Sequence, residues 1–168
     1  MSSPPLSEPW LRGELPGVDP LLAPPLRSFE QVREDLAVHC AGLFTEQLWR
    51  SPHGLAPLGF HLRHIAGSVD RLTSYLEGCQ LDEAQLAALR AETEPGASLT
   101  DLLAAIDRAF DRAAGVIRSI DPATLPEPRH VGRRRLPTTV LGLIVHIAEH
   151  TQRHLGQAIS AAKLARVA

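Results

Sequence analysis

LTDLLAAIDRAFDRAAGVIRSI, residues 99–120, decides the fold class. Leu99, Leu102, Leu103, Ile106, Phe110, Ala113, Ile117 and Ile120 recur at intervals of three and four, the spacing of one face of an α-helix. Ser98 is placed to cap it, with Asp101 as a weak capping-box partner, and Asp121-Pro122 closes it, because the residue before a proline avoids helical geometry. A strand would alternate every second residue, and no stretch of the chain alternates convincingly.

The same period recurs on both sides. Upstream, Phe29, Val32, Leu36, Cys40, Leu43 and Gln47 form one row of a helix predicted from about Leu26 to Trp49. SPHGLAP breaks it, and a second helix is predicted from about Pro57 to Glu77. Its inner row reads His61, Ile65, Ser68, Leu72 and Leu76, and Gly78 supplies a stop. LDEAQLAALRAE, residues 81–92, predicts a short extra helix before the third long one. Downstream, a proline-rich connector reaches Pro137, and a fourth long helix is predicted from Thr138 or Thr139 to about Ala165. The expectation is an all-α, antiparallel-type four-helix bundle over residues 26–168, its connection order open. Residues 1–25 hold half of the chain's 14 prolines and predict an extended N-terminal arm, with Trp10, Leu11, Leu21 and Leu22 available to dock it.

With 44% hydrophobic residues in 168, the chain has enough apolar material for a core in one domain. A formal net charge of −2 gives no electrostatic drive towards nucleic acid or an anionic membrane. The basic run RHVGRRR, residues 129–135, reads as a solvated loop between prolines. The alternative has Arg133, Arg134 and Arg135 reaching over a site mouth to hold an anion. Cys40 and Cys79 make neither a disulfide framework nor a CxxC motif. They read as buried or semi-buried structural thiols in a reducing compartment, although Cys40 near a histidine site could also ligate or oxidise. The N-terminus lacks the pattern of a secretory signal, so a cytoplasmic location is expected.

The predicted fourth helix carries the chemistry. In HIAEHTQRHLGQAI, residues 146–159, histidine occurs at every fourth position: His146, His150 and His154. Four residues advance roughly 400° around a helix, so the three imidazoles form one slanting column offset by about 40° per step. The column borders the apolar stripe of Leu141, Ile144, Ile147, Ala148, Thr151, Leu155 and Ile159, opposite Glu149, Gln152, Arg153 and Lys163. Such a pair can place two nitrogens on one metal ion, and His61 and His64 on the second helix offer a third ligand with positions left open. The competing account pairs these histidines with one another or with Glu46, Asp70 and Glu149 as structural hydrogen-bonding groups.

Two elements resemble the DinB/YfiT-like superfamily: HIAGSVDRL in the second helix and HTQRHLGQ in the fourth, the trailing HLGQ being the most specific. The resemblance covers most of the chain from about residue 26 onward. It implies a four-helix bundle with an unusual connection order, commonly dimeric, holding nickel or zinc on three histidines. Carried across, the triad falls on His64, His150 and His154. His61 and His146 then stand as neighbours or pocket wall. Gln157 takes a supporting hydrogen bond, and Gly156 allows close helix packing. Iron is a further candidate metal.

What resembles this family divides between hydrolases and enzymes that use a low-molecular-weight thiol. The leading expectation is a thiol S-transferase-like enzyme acting on a small molecule through a metal-activated thiolate. The alternatives are a hydrolase using metal-bound hydroxide and a stress-related metal-binding protein without catalysis. No general base emerges, since Glu149 points to the polar side. Trp49 reads as an anchor or pocket wall, and Tyr75, about three turns beyond His64, as too distant for direct chemistry.

Overall fold

Each long helix follows from the row that it buries. In the computed structural model, which describes residues 7–167, α1 spans Ala23–His39, α2 Thr45–Leu48, α3 Leu58–Leu76, α4 Glu83–Arg90, α5 Leu99–Arg118 and α6 Val140–Val167. The all-α reading holds, with α4 as the short extra helix. On α3, the whole predicted inner row of His61, Ile65, Ser68, Leu72 and Leu76 is buried. On α5, Leu102, Ile106, Phe110, Ala113 and Ile117 are buried, and the Ser98 hydroxyl caps the helix by accepting from the Asp101 amide. On α6 the buried face is Val140, Leu143, Ile144, Ile147, Thr151, Leu155, Ala158, Ala162 and Ala165, whereas Leu141 stays exposed.

The helices are ordered by which pairs pack. Helix α3 lies between α5 and α6, α6 also packs on α1, and α1 closes the ring against α5. Consecutive long helices α1 and α3 therefore stand across a diagonal, as do α5 and α6. The α1–α5 seam is fastened by stacked Phe29 and Phe110 rings, centroids 4.3 Å apart. Arg33 adds contacts to Asp107 at 2.8 Å and Asp111 at 2.7 Å. Because α3 meets neighbours on several sides, 14 of its 19 residues are buried, as expected of a helix in the middle of a fold.

Three sequence expectations are corrected. The first helix does not run unbroken to Trp49. It ends at His39, and Gly42 turns the chain at φ +75° before α2. Leu43 and Leu48 nevertheless stay buried, so the apolar period carried across the break. Second, the connector is not all loop: β1 (Pro128–Val131) and β2 (Leu136–Thr139) form an antiparallel hairpin. Arg129 Nε donates to the Leu76 carbonyl at 2.9 Å, so this hairpin closes the C-terminus of α3. Third, Pro24 and Pro25 open α1, in the first turn where proline costs little, and do not belong to an extended arm.

Residues 1–6 of the expected arm lie outside the described residues. From residue 7 onward the arm packs by Leu22, buried, and by half-buried Leu15 and Val18, while Trp10, Leu11 and Leu21 remain exposed. Arg12 grips Glu34 of α1 through both carboxylate oxygens, at 2.5 and 2.8 Å. No described helix is long and apolar enough to cross a membrane.

Candidate metal centre

The packing of α3 on α6 brings two sequence-distant sets of imidazoles face to face. His64 Nε2 lies 3.0 Å from His150 Nε2, and the His64 and His154 ring centroids are 4.3 Å apart. One ring nitrogen from each of His64, His150 and His154 falls within 4.8 Å of the other two. All three residues are half-buried. Two nitrogens sharing one tetrahedral zinc would sit about 3.4 Å apart, given bonds of roughly 2.0–2.1 Å. The donor set and its spacing thus fit a divalent ion.

The neighbours take the places that their helical phase dictates. His61 is buried, and its Nδ1 is 3.4 Å from His154 Nδ1, on the side of the cluster away from His150. It stands beside the group that His64 completes. His146, one turn before His150, pairs with Glu149 at 2.8 Å and presents its ring 5.1 Å from His150. Of the structural pairings expected for these histidines, those with one another (His64–His150 and His61–His154) and the one with Glu149 form. Glu46 and Asp70 hydrogen-bond to none of the clustered histidines.

A carboxylate absent from the sequence reading organises His64. Glu92, in the loop after α4, is only 6% exposed, and one of its oxygens lies 2.7 Å from His64 Nδ1. A proton held at Nδ1 by this carboxylate leaves the Nε2 lone pair free towards His150. The other oxygen of Glu92 is 2.7 Å from Arg71 Nη1, a buried ion pair whose angles do not make a good hydrogen bond. Gly67 makes room for it, since a Cβ there would stand 2.7 Å from Arg71 Nη1 and 2.9 Å from Glu92 Oε1. The loop itself is pinned. Arg63 Nη1 donates to the carbonyls of Ala91 and Glu94, and its guanidinium lies 4.7 Å from the Trp49 ring centre. Trp49 Nε1 donates to the Ala97 carbonyl at 3.0 Å, making it the expected anchor.

Burial and mutual proximity disfavour the charged form of His61, His150 and His154. Burial, then the nearby His64, His150 and His61, pushes His154 down to about 4. Burial and His64 also lower His150 and His61. Burial alone would raise Glu92, but the His64 hydrogen bond and the Arg71 charge outweigh it and hold the carboxylate below its ordinary range. Neutral imidazoles with available lone pairs are the state that metal binding requires. His150 Nδ1 is buried without a hydrogen-bond partner.

The supporting roles expected of Gln157 and Gly156 do not form, and Cys40 and the basic run keep their leading readings as core thiol and solvated segment. Gln157 is exposed and makes no side-chain hydrogen bond among the described residues, because the α6 turn that brings His154 inward carries it outward. It lines a cleft of about 470 Å³ with His61, Arg50 and Arg153. A Cβ at Gly156 would meet nothing within 4 Å, so no close helix packing depends on that glycine. Arg133, Arg134 and Arg135 are exposed on the hairpin side and line neither cleft beside the histidines. Cys40 is buried in the core, its thiol pushed up to about 11 by burial, and joins no cluster of ligand-type groups among the described residues, whereas Cys79, expected to be at least half-buried, is exposed just beyond the end of α3. Tyr75, judged out of reach by rise along the helix, lines a second cleft together with His64 and His150.

The sequence model of the DinB superfamily matches residues 28–158, a span that includes every histidine of the cluster. No curated protein matches the chain.

Proposed function

The chain belongs to the DinB superfamily, and from that premise we propose that it is a metal-dependent enzyme acting on small molecules, with His64, His150 and His154 as the metal ligands. The convergence of three imidazoles within 4.8 Å, one of them oriented by a buried carboxylate, carries the reading. Three imidazoles suit nickel, zinc or ferrous iron. When bound, such an ion supplies Lewis acidity that ionises a coordinated thiol or water near neutral pH.

The chain's own residues do the rest. Glu92 holds a proton on His64 Nδ1, and Arg71 holds Glu92. His61 backs His154 on its far side, and His146 forms part of the wall near His150. The reaction that this arrangement favours is thiol S-transfer. A low-molecular-weight thiol would lose its proton to solvent water, its sulfur would bond to an electrophilic carbon, and the leaving group would depart with the electron pair of the carbon bond that breaks. Hydrolysis is the second reading, and it needs a general base. The nearby carboxylates are already engaged: Glu92 by His64 and Arg71, Glu149 by His146 and Arg153. That engagement leaves both readings without a free carboxylate base, and the thiol reading is preferred because a thiol ionises more readily than water. A homodimer belongs to the same proposal, supported by the exposed apolar residues Trp10, Leu21 and Val145 along the groove between the arm and α6.

The test joins metal content to turnover. His150→Ala or His154→Ala should abolish stoichiometric metal in elemental analysis, and His64→Ala should weaken it strongly. His53→Ala and His130→Ala should change nothing. If all three triad variants keep their metal, the ligand assignment is wrong. Conjugation of glutathione, bacillithiol or mycothiol to an electrophile should stop with chelator and resume on adding zinc or nickel. Metal uptake without turnover would leave a metal-binding protein that is not an enzyme.

A further inference from the structure

One cation beside the metal centre has donors to spare. Arg71 of α3 is 9% exposed, and an arginine so buried is rare unless it is paired. Its ion pair with Glu92, Nη1 at 2.7 Å, lacks the angles of a hydrogen bond. Nε and Nη2 have no hydrogen-bond partner among the described residues, and neither is sealed from solvent. A guanidinium carries five N–H donors, and those of Nε and Nη2 form the parallel edge that fits a carboxylate side-on. Arg71 also lines a cleft of about 210 Å³ that follows α3 past Ser68 and Leu72 and includes His64 and His150.

Resting on the metal-centre reading above, we propose that this cleft is the substrate pocket and that Arg71 turns its Nε–Nη2 edge into it to hold a carboxylate. The ligand is a short monocarboxylate with an apolar body, its far end directed at His64 and His150. Charge selects the anion. Arg71 is the one permanently charged residue lining the cleft, and no acidic side chain lines it among the described residues. Ser68 and His146 are committed, the first donating to the Ile65 carbonyl and the second paired with Glu149 at 2.8 Å. Leu72, Leu81 and Leu89 supply the apolar wall. A short molecule suffices, because Nη1 of Arg71 and Nδ1 of His64 stand on the two oxygens of the same Glu92 carboxylate. That carboxylate also sets a limit, since its negative charge beside Nη1 disfavours a dianion such as phosphate more than a monoanion. Size assigns the carboxylate to the electrophile. Pockets for drug-sized molecules run to about 300–1,000 Å³, so a thiol as large as glutathione does not fit.

Titration calorimetry of the zinc-loaded full chain with butyrate, butyramide and inorganic phosphate reads the selectivity. Butyrate should bind saturably. Butyramide, which lacks the charge, should bind about 10–100-fold more weakly, the size of one hydrogen bond to a charged group. Phosphate and glutathione should not displace butyrate. Arg71→Lys keeps a cation beside Glu92 but removes the fork, and should weaken butyrate by a similar factor with zinc content unchanged. Leu89→Trp, at an exposed site on the cleft edge, should block butyrate and spare the metal, so it decides the matter if Arg71→Lys disturbs the fold. No saturable butyrate binding, equal binding of butyramide, displacement by phosphate or glutathione, or wild-type affinity in Leu89→Trp would overturn the pocket. Butyrate held by the metal alone would be lost on chelation and kept in Arg71→Lys, which overturns it too. Elemental analysis separates the two ideas. A metal-free protein that still prefers butyrate through Arg71 refutes the metal centre alone, whereas a zinc-loaded one without Arg71-dependent binding refutes the pocket alone.

Discussion

Replacing Glu92 tests how much of the centre is built from the loop after α4. The residue is 6% exposed, Arg71 is 9% exposed, and both the imidazole of His64 and the guanidinium of Arg71 lie 2.7 Å from the carboxylate. Glu92→Ala leaves a buried cation unpaired, a change that costs about 3–5 kcal/mol. Glu92→Gln keeps one acceptor oxygen but loses the charge, so it can serve His64 or Arg71 and not both. Supporting partners of metal-bound histidines are typically worth about 10–100-fold in affinity, or roughly 1.4–2.8 kcal/mol. Competition against a chromophoric zinc chelator measures that loss directly. Urea unfolding with and without zinc provides the second arm, since stabilisation by a ligand follows its affinity. For Glu92→Gln the zinc-dependent gain in stability should shrink by the same roughly 1.4–2.8 kcal/mol. Wild-type zinc affinity in both variants would refute the idea that Glu92 orients a ligand.

Two further outcomes are expected. In chelated protein, His154 at about 4 against an ordinary 6.5 means that the unfolded chain binds more protons between those values. Stability should therefore be full above pH about 6.5 and fall progressively towards pH 4, with His61 and His150 adding in the same direction; a urea midpoint unchanged from pH 7.5 to 5 would contradict it. Gly59→Ala should destabilise by about 1–3 kcal/mol despite better helix propensity, because the new Cβ would stand 2.7 Å from the rigid Trp49 ring; thermal or urea melts decide it, and a stabilised variant would mean that Trp49 yields freely.

What the sequence disclosed was local and periodic. The row on α3 and the three imidazoles on α6 were readable because spacing alone puts residues on one face. The hairpin was hidden because Pro128 and Pro137 read as breakers, whereas both sit in a two-stranded ladder in which every strand is an edge. The break after His39 was hidden because Leu43 kept the apolar rhythm through a turn made by Gly42. Glu92 was invisible for a different reason: it lies in a loop without period, 28 residues from its partner. A signal did exist, since His64, Gly67 and Arg71 share one face of α3. An arginine on a row otherwise buried requires a buried acid, and a glycine beside it requires something lying across the helix. Tyr75 was set aside on axial rise, yet it lines one cleft with His64 and His150.

The diagonal placement of α1 against α3, and of α5 against α6, has a consequence for biosynthesis. His64 and His150 are 86 residues apart, and α6 leaves the ribosome after α3, α4, α5 and the hairpin. A nascent chain holding everything up to the hairpin offers an incoming cation a single triad imidazole, too few for capture. On the proposed ligand set, loading would then follow synthesis of α6, and a chain truncated before His150 should emerge without an ion.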